Sequence, residues 1–75
     1  MSTHLIPGVG TVTLEVSSGQ LVLVSVSAPG WKVERNKIEP DRIELEFTSG
    51  LKAEAEFDAR LKNGRVEVEI EVELG

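Results

Sequence analysis

The chain contains no cysteine, so neither a disulfide framework nor a thiolate metal site is available to hold its 75 residues together. Tyrosine is absent too, and the single histidine, His4, has no second imidazole or thiolate with which to complete a metal site. No apolar run approaches the roughly 20 residues of a membrane helix. Met1 to Gly10 also lacks the basic start and apolar stretch of a secretory leader, so a soluble, unprocessed chain is expected. Basic residues are scarce. Eight of them face thirteen acidic ones, and the net charge of −5 disfavours phosphate backbones and anionic headgroups as partners. Neither nucleic acid nor membrane binding is expected. A chain this short builds one thin core, near the lower limit for folding without a metal or a disulfide.

What the sequence has in abundance is alternation. Leu51, Ala53, Ala55, Phe57, Ala59 and Leu61 are separated by charged residues, and Val66, Val68, Ile70, Val72 and Leu74 are separated by glutamates. A period of two places each apolar set on one face of a strand, whereas a helix would scatter it around all sides. Helix is thereby excluded as a main element despite the good helix propensity of the alanines. Charge follows the same division. Residues 1–40 carry three acids and three bases, while residues 41–75 carry ten acids and five bases, so all of the net charge lies in the second half.

Turn residues set the expected register. Asn63-Gly64 is the strongest short hairpin signal, because both residues tolerate the positive φ of a type I′ turn. It places Phe57 beside Ile70 within the core and, on the other face, Glu54 beside Glu73, Glu56 beside Glu71 and Asp58 beside Glu69. Ser18-Gly19 as a second two-residue loop sets Val16 beside Leu21 and Leu14 beside Leu23. Between the fourth and fifth strands, a three-residue loop Thr48-Ser49-Gly50 with glycine in the left-handed region keeps the faces consistent. It sets Phe47 beside Leu51, Leu45 beside Ala53, Arg42 beside Glu56 and Glu44 beside Glu54. Strands are expected at 10–17, 20–27, 31–36, 42–48, 51–61 and 65–74, with breaks at Ala28-Pro29-Gly30 and at Ile38 to Asp41. This spacing predicts an all-β, small antiparallel sandwich of six to seven strands in one domain over residues 10–75, preceded by a loose lead-in over 1–9.

Two surfaces are candidates for function. The first is the acidic ladder, where Glu54, Glu56, Glu71 and Glu73 offer a weak cation or basic-partner face. A flat strand face lacks the carbonyls and tight loop that complete a calcium shell, so a solvated surface is the preferred reading. The second is the strand Leu21 to Ser27, which is apolar on both sides. Val22, Val24 and Val26 form an exposed patch unless covered, and are a candidate protein-interaction face.

The remaining residues have structural readings. Trp31 reads as a core plug rather than a stacking platform, since no other aromatic is expected on the surface. His4 reads as inert. Ser17, Ser18 and Ser49 are turn residues with no base in the folded body to activate them, and Ser25 and Ser27 are expected to bond to backbone or face a sheet edge. A carboxylate pair for glycosidase-type chemistry needs a cleft that this chain is too short to wall. No catalytic residue, metal or cofactor is expected, nor a small-molecule ligand, and the chain is read as a non-enzymatic structural domain. The alternative is a protein-interaction module that uses a sheet edge or the valine face, including by homodimerisation.

Ser27-Ala28-Pro29-Gly30-Trp31, Pro40-Asp41, Glu46-Phe47, Ser49-Gly50 and Asn63-Gly64-Arg65, set among glutamate- and valine-rich strands, resemble the immunoglobulin-like β-sandwich in its small bacterial form, particularly uncharacterised actinobacterial domains. That resemblance covers residues 10–74 and implies a sandwich, without supplying an activity. The near-perfect alternation of Arg65 to Leu74, with short glycine turns and no cysteine, also resembles idealised or designed β-proteins.

Overall fold

A computed structural model describes residues 1–50 and 52–74. Seven strands form two antiparallel sheets: β1 (Ser2–Ile6), β2 (Gly10–Ser17) and β3 (Gln20–Ser27) in one, β4 (Lys32–Glu39), β5 (Arg42–Ser49), β6 (Ala53–Lys62) and β7 (Arg65–Leu74) in the other. Both sheets take consecutive strands in order, and β3 lies over β5 and β6. The all-β sandwich expected from alternation is present.

The core is built where the inward faces meet. Ile6, Val12, Leu14 and Leu21 from the first sheet close over Ile43, Leu45, Phe47 and Phe57 from the second. Ala55 and Ala59, on either side of Phe57 along β6, are also fully buried and leave room for its ring. Both hairpin signals act as expected. Ser18 and Gly19 have φ of 52° and 73°, Asn63 and Gly64 have 51° and 77°, and each pair forms a two-residue turn with positive φ throughout. Gly10 has a different role. A side chain there would place its Cβ 1.9 Å from the Ser27 carbonyl oxygen, so glycine is what lets β2 and β3 close at that end.

Three expectations need correction. The lead-in over 1–9 is not loose. Residues 2–6 pair with β2 from Ser2 opposite Leu14 to Ile6 opposite Gly10, and Ile6 and Val9 are buried. Only two residues of β1, Leu5 and Ile6, are strongly apolar, too few to announce a strand locally. The strand exists because the β2 edge and the core beside Ile6 were open.

The β5–β6 register also differs. Phe47 pairs with Ala55, Leu45 with Phe57, Glu44 with Asp58 and Arg42 with Arg60, and Ser49 opposite Ala53 ends the ladder. The connection is still three residues long but lies at 50–52. Gly50 has φ 61°, and the expected Phe47–Leu51 contact involves a residue outside the described ones. Sliding a strand by an even number of residues keeps every side chain on its own face, so alternation could not choose between the two offsets. Packing Leu45 against Phe57 could.

Finally, β3 carries a bulge. Its pairing jumps from Thr13–Ser25 to Leu14–Leu23, which leaves Val24 as the extra residue and turns Val26 inward against the core.

Candidate functional site

The outward face of the β4–β7 sheet is ordered in rows that run across the strands. Glu34, Glu46, Glu56 and Glu71 make one row through all four strands. The next row toward the Pro40-Asp41 turn is Lys37, Glu44, Asp58 and Glu69, and the one beyond it is Glu39, Arg42, Arg60 and Glu67. On the other side lie Lys32, Thr48, Glu54 and Glu73, so the expected pairs Glu54–Glu73, Glu56–Glu71 and Asp58–Glu69 all form. With Lys62 and Arg65 at the hairpin end, eleven acids and six bases face this side, and their difference is the whole net charge of −5.

Relief of this repulsion is local. Arg42 donates to Asp58 at 3.0 Å and also to Glu44, and Arg60 stands 3.7 Å from Asp58. The hydrogen bond that Asp58 accepts from Arg42, together with the charges of Asp58, Glu44 and Glu39, raises the affinity of the Arg42 guanidinium for its proton against the opposing effect of desolvation. A group whose pKa is raised on folding contributes stability that is complete below its unfolded value, and because a guanidinium titrates far above neutrality this contribution is constant over ordinary pH. Lys32 reaches Glu34 at 3.8 Å and Lys62 reaches Glu67 at 4.0 Å. Among the described residues no salt bridge reaches Glu46, Glu54, Glu56, Glu69, Glu71 or Glu73.

The proposed cation face is thus brought together, but as a surface. Glu54, Glu56, Glu71 and Glu73 rim a shallow depression of about 70 Å³ over Ala55. Among the described residues no group of three or more histidine or acidic side chains converges as metal ligands would.

The valine face is smaller than expected. Val22 and Val24 are 39% and 44% exposed on the outside of β3, but the bulge withdraws Val26. What surrounds the two valines is uncharged apart from Glu15: Thr13 lies opposite Ser25, Thr11 opposite Ser27, and Thr3 meets Thr13 hydroxyl to hydroxyl at 3.0 Å. Trp31 packs half-buried at the core margin. His4 is not a bystander in a loose lead-in. It sits on the inward face of β1 opposite Val12, its ring 5.9 Å from that of Phe57 and Nε2 3.0 Å from the Ser2 hydroxyl.

One site was not singled out from the sequence by residue. Ile70, Val72 and Leu74 on the inward side of β7, with Leu5 and Pro7 from β1 and the turn after it, line an open trough of about 690 Å³. A three-stranded sheet does not cover a four-stranded one completely, and β7 is the strand left half-covered. Leu5 and Leu74 are each 66% exposed there. The sequence signal was the unusual length of the Arg65 to Leu74 alternation, which runs ten residues without a break.

No protein-family model, curated protein or solved structure matches this chain. Among the described residues no helix is long and apolar enough to cross a membrane.

Proposed function

We propose that this chain is a non-enzymatic β-sandwich that acts by contact with another protein along the free edge of β7. The observation that carries this is the difference between β7 and the other three edges. A sheet edge is a row of unpaired amide and carbonyl groups, and proteins blunt such edges with short strands, bulges, prolines and lysines. Here β1 is five residues long, β3 is bulged at Val24, and β4 is bulged at Asn36 and carries Lys32 and Lys37. The ten-residue β7 has no bulge, proline or lysine and runs beside the apolar trough. The Val22 and Val24 patch is the lesser candidate, since two half-exposed valines are ordinary on a surface.

The net negative charge of the β4–β7 outer face supports leaving nucleic acid and anionic membranes out of the partner list. The immunoglobulin-like resemblance is supported at the level of layers, two packed antiparallel sheets of three and four strands. It does not extend to connectivity, because immunoglobulin sandwiches interleave their strands between sheets and this chain does not. The regular β6–β7 hairpin and its turn support the resemblance to idealised β-proteins, and with it a plain scaffold as the second reading.

Selection of ligands from an unbiased peptide library, followed by NMR shift mapping, tests the proposal. Ligands that perturb Leu5, Ile70, Val72 and Leu74 are expected. An empty selection, or ligands that map only to the outside of β3, would refute it.

A further inference from the structure

We propose that the β7 edge takes an added strand of one chemistry, an extended partner segment in which apolar residues alternate with lysine or arginine. The inference rests on the edge reading above and adds what the edge selects. A strand hydrogen-bonded to β7 continues the sheet, so its side chains fall alternately on the two faces that β7 already defines. On the inward face they meet the trough between Ile70, Val72 and Leu74 and the overhanging Leu5 and Pro7. On the outward face they stand directly beside Glu67, Glu69, Glu71 and Glu73, at the Cβ separation of roughly 5 Å between cross-strand neighbours.

Glu67 is already matched by Arg60 and Lys62, but the other three have like charges on their other side. Glu69 lies opposite Asp58, Glu71 opposite Glu56 and Glu73 opposite Glu54. A lysine or arginine arriving from the free edge relieves a repulsion already present in the unbound sheet, so the charged contacts favour the bound state specifically.

The same arrangement disfavours pairing of β7 with the β7 of a second copy of this chain. Two β7 strands paired antiparallel in register by face would set glutamate opposite glutamate through the middle of the ladder, with Arg65 able to meet Glu73 only at its ends. Slipping the pair by one residue would put the partner's glutamates over the apolar trough and its valines outside. Charge is therefore the only guard on this edge, and it discriminates by sign.

Nine-residue capped peptides test this on the intact chain. One alternates valine or isoleucine with lysine, a second replaces lysine with glutamate, a third replaces it with glutamine, and a fourth keeps the lysine composition but breaks the alternation. The lysine peptide is expected to shift β7 resonances, to protect β7 amides from hydrogen exchange and to weaken as salt rises. The glutamate, glutamine and broken-alternation peptides are expected to bind at least about tenfold more weakly. The double substitution E69K/E71K, on an exposed face that leaves the core residues untouched, is expected to reverse the preference toward the glutamate peptide. L5K/L74K is expected to weaken both.

Equal binding of the glutamine peptide at β7 overturns the charge selectivity and leaves the edge reading standing. Equal binding of the broken-alternation peptide, mapped to the outside of β5 and β6, overturns strand addition in favour of unspecific attraction. If no peptide binds below about 1 mM, the proposal falls, and the unbiased selection then decides separately whether the edge reading falls with it.

Discussion

The outer faces of the two sheets are opposites. The β1–β3 face is built mainly of threonine, serine and valine, with Leu5 and Gln20 among them and Glu15 as its one charge, and two of its hydroxyls, Thr3 and Thr13, meet directly. The β4–β7 face is a grid of carboxylates whose tightest ion pairs gather at Arg42, with Glu44 and Asp58, while Arg42 Nε and Asp58 Oδ1 stay buried without a partner. Both sheets fold onto the same core, so the difference shows what a sheet tolerates outside when the inside is well packed. Like charges directly opposite cost some tenths of a kcal/mol each. Burying Phe47, Phe57 and Leu45 contributes a few kcal/mol each, and this outweighs the repulsion. The acidic face is then a stored repulsion that a basic partner can discharge.

The largest effects break the comparison from the inside. Phe57→Ala removes the ring that anchors the acidic sheet and should cost about 3–5 kcal/mol, measured by denaturant unfolding. A cost under about 1 kcal/mol would show that the ring is not the anchor. Gly10→Ala attacks the uncharged sheet at the Ser27 carbonyl and should cost about 1–3 kcal/mol, with β2–β3 amides losing exchange protection before those of β6 and β7. Uniform loss across both sheets would count against a local clash.

Smaller changes sharpen the comparison from the outside. Glu56 stands between Glu46 and Glu71, so Glu56→Lys should raise stability by about 0.5–1 kcal/mol. Thr13→Lys, at the centre of the other face, should stay within about 0.5 kcal/mol of the parent. Equal responses at the two positions would mean that the rows do not repel measurably. The smallest expected effect is that of salt. Raising sodium chloride should lift the melting temperature of the parent chain by a few degrees, and E56K/E71K should largely abolish that lift. A parent that ignores salt would remove electrostatic strain from the account of this face.

Much of the acidic sheet was legible in the sequence. The Asn63-Gly64 turn fixed β6 against β7, and with it Phe57 beside Ile70 and Glu56 beside Glu71. Ser18-Gly19 did the same for the first pairs of β2 and β3. Legibility stopped where local pattern lost its phase. Leu21 to Val24 is apolar at every position, so nothing in it marks Val24 as the extra residue that sends Val26 inward. Asn36 likewise gives no sign that β4 runs on through a bulge to Glu39. The trough was illegible for a different reason, since it needs Leu5 and Leu74, 69 positions apart by their numbers, on one side of the sandwich.

The sequence by itself determined which residues of β2, β5, β6 and β7 face in and which face out, and where two of the hairpins turn, because a period of two and the φ preferences of Asn-Gly and Ser-Gly act between near neighbours. Only the tertiary structure decided the β5–β6 offset, the recruitment of Ser2–Ile6 as a strand and the exposure of the β7 edge. Each of these leaves the alternation intact, so each is decided by which arrangement buries the most apolar surface across two sheets of unequal width.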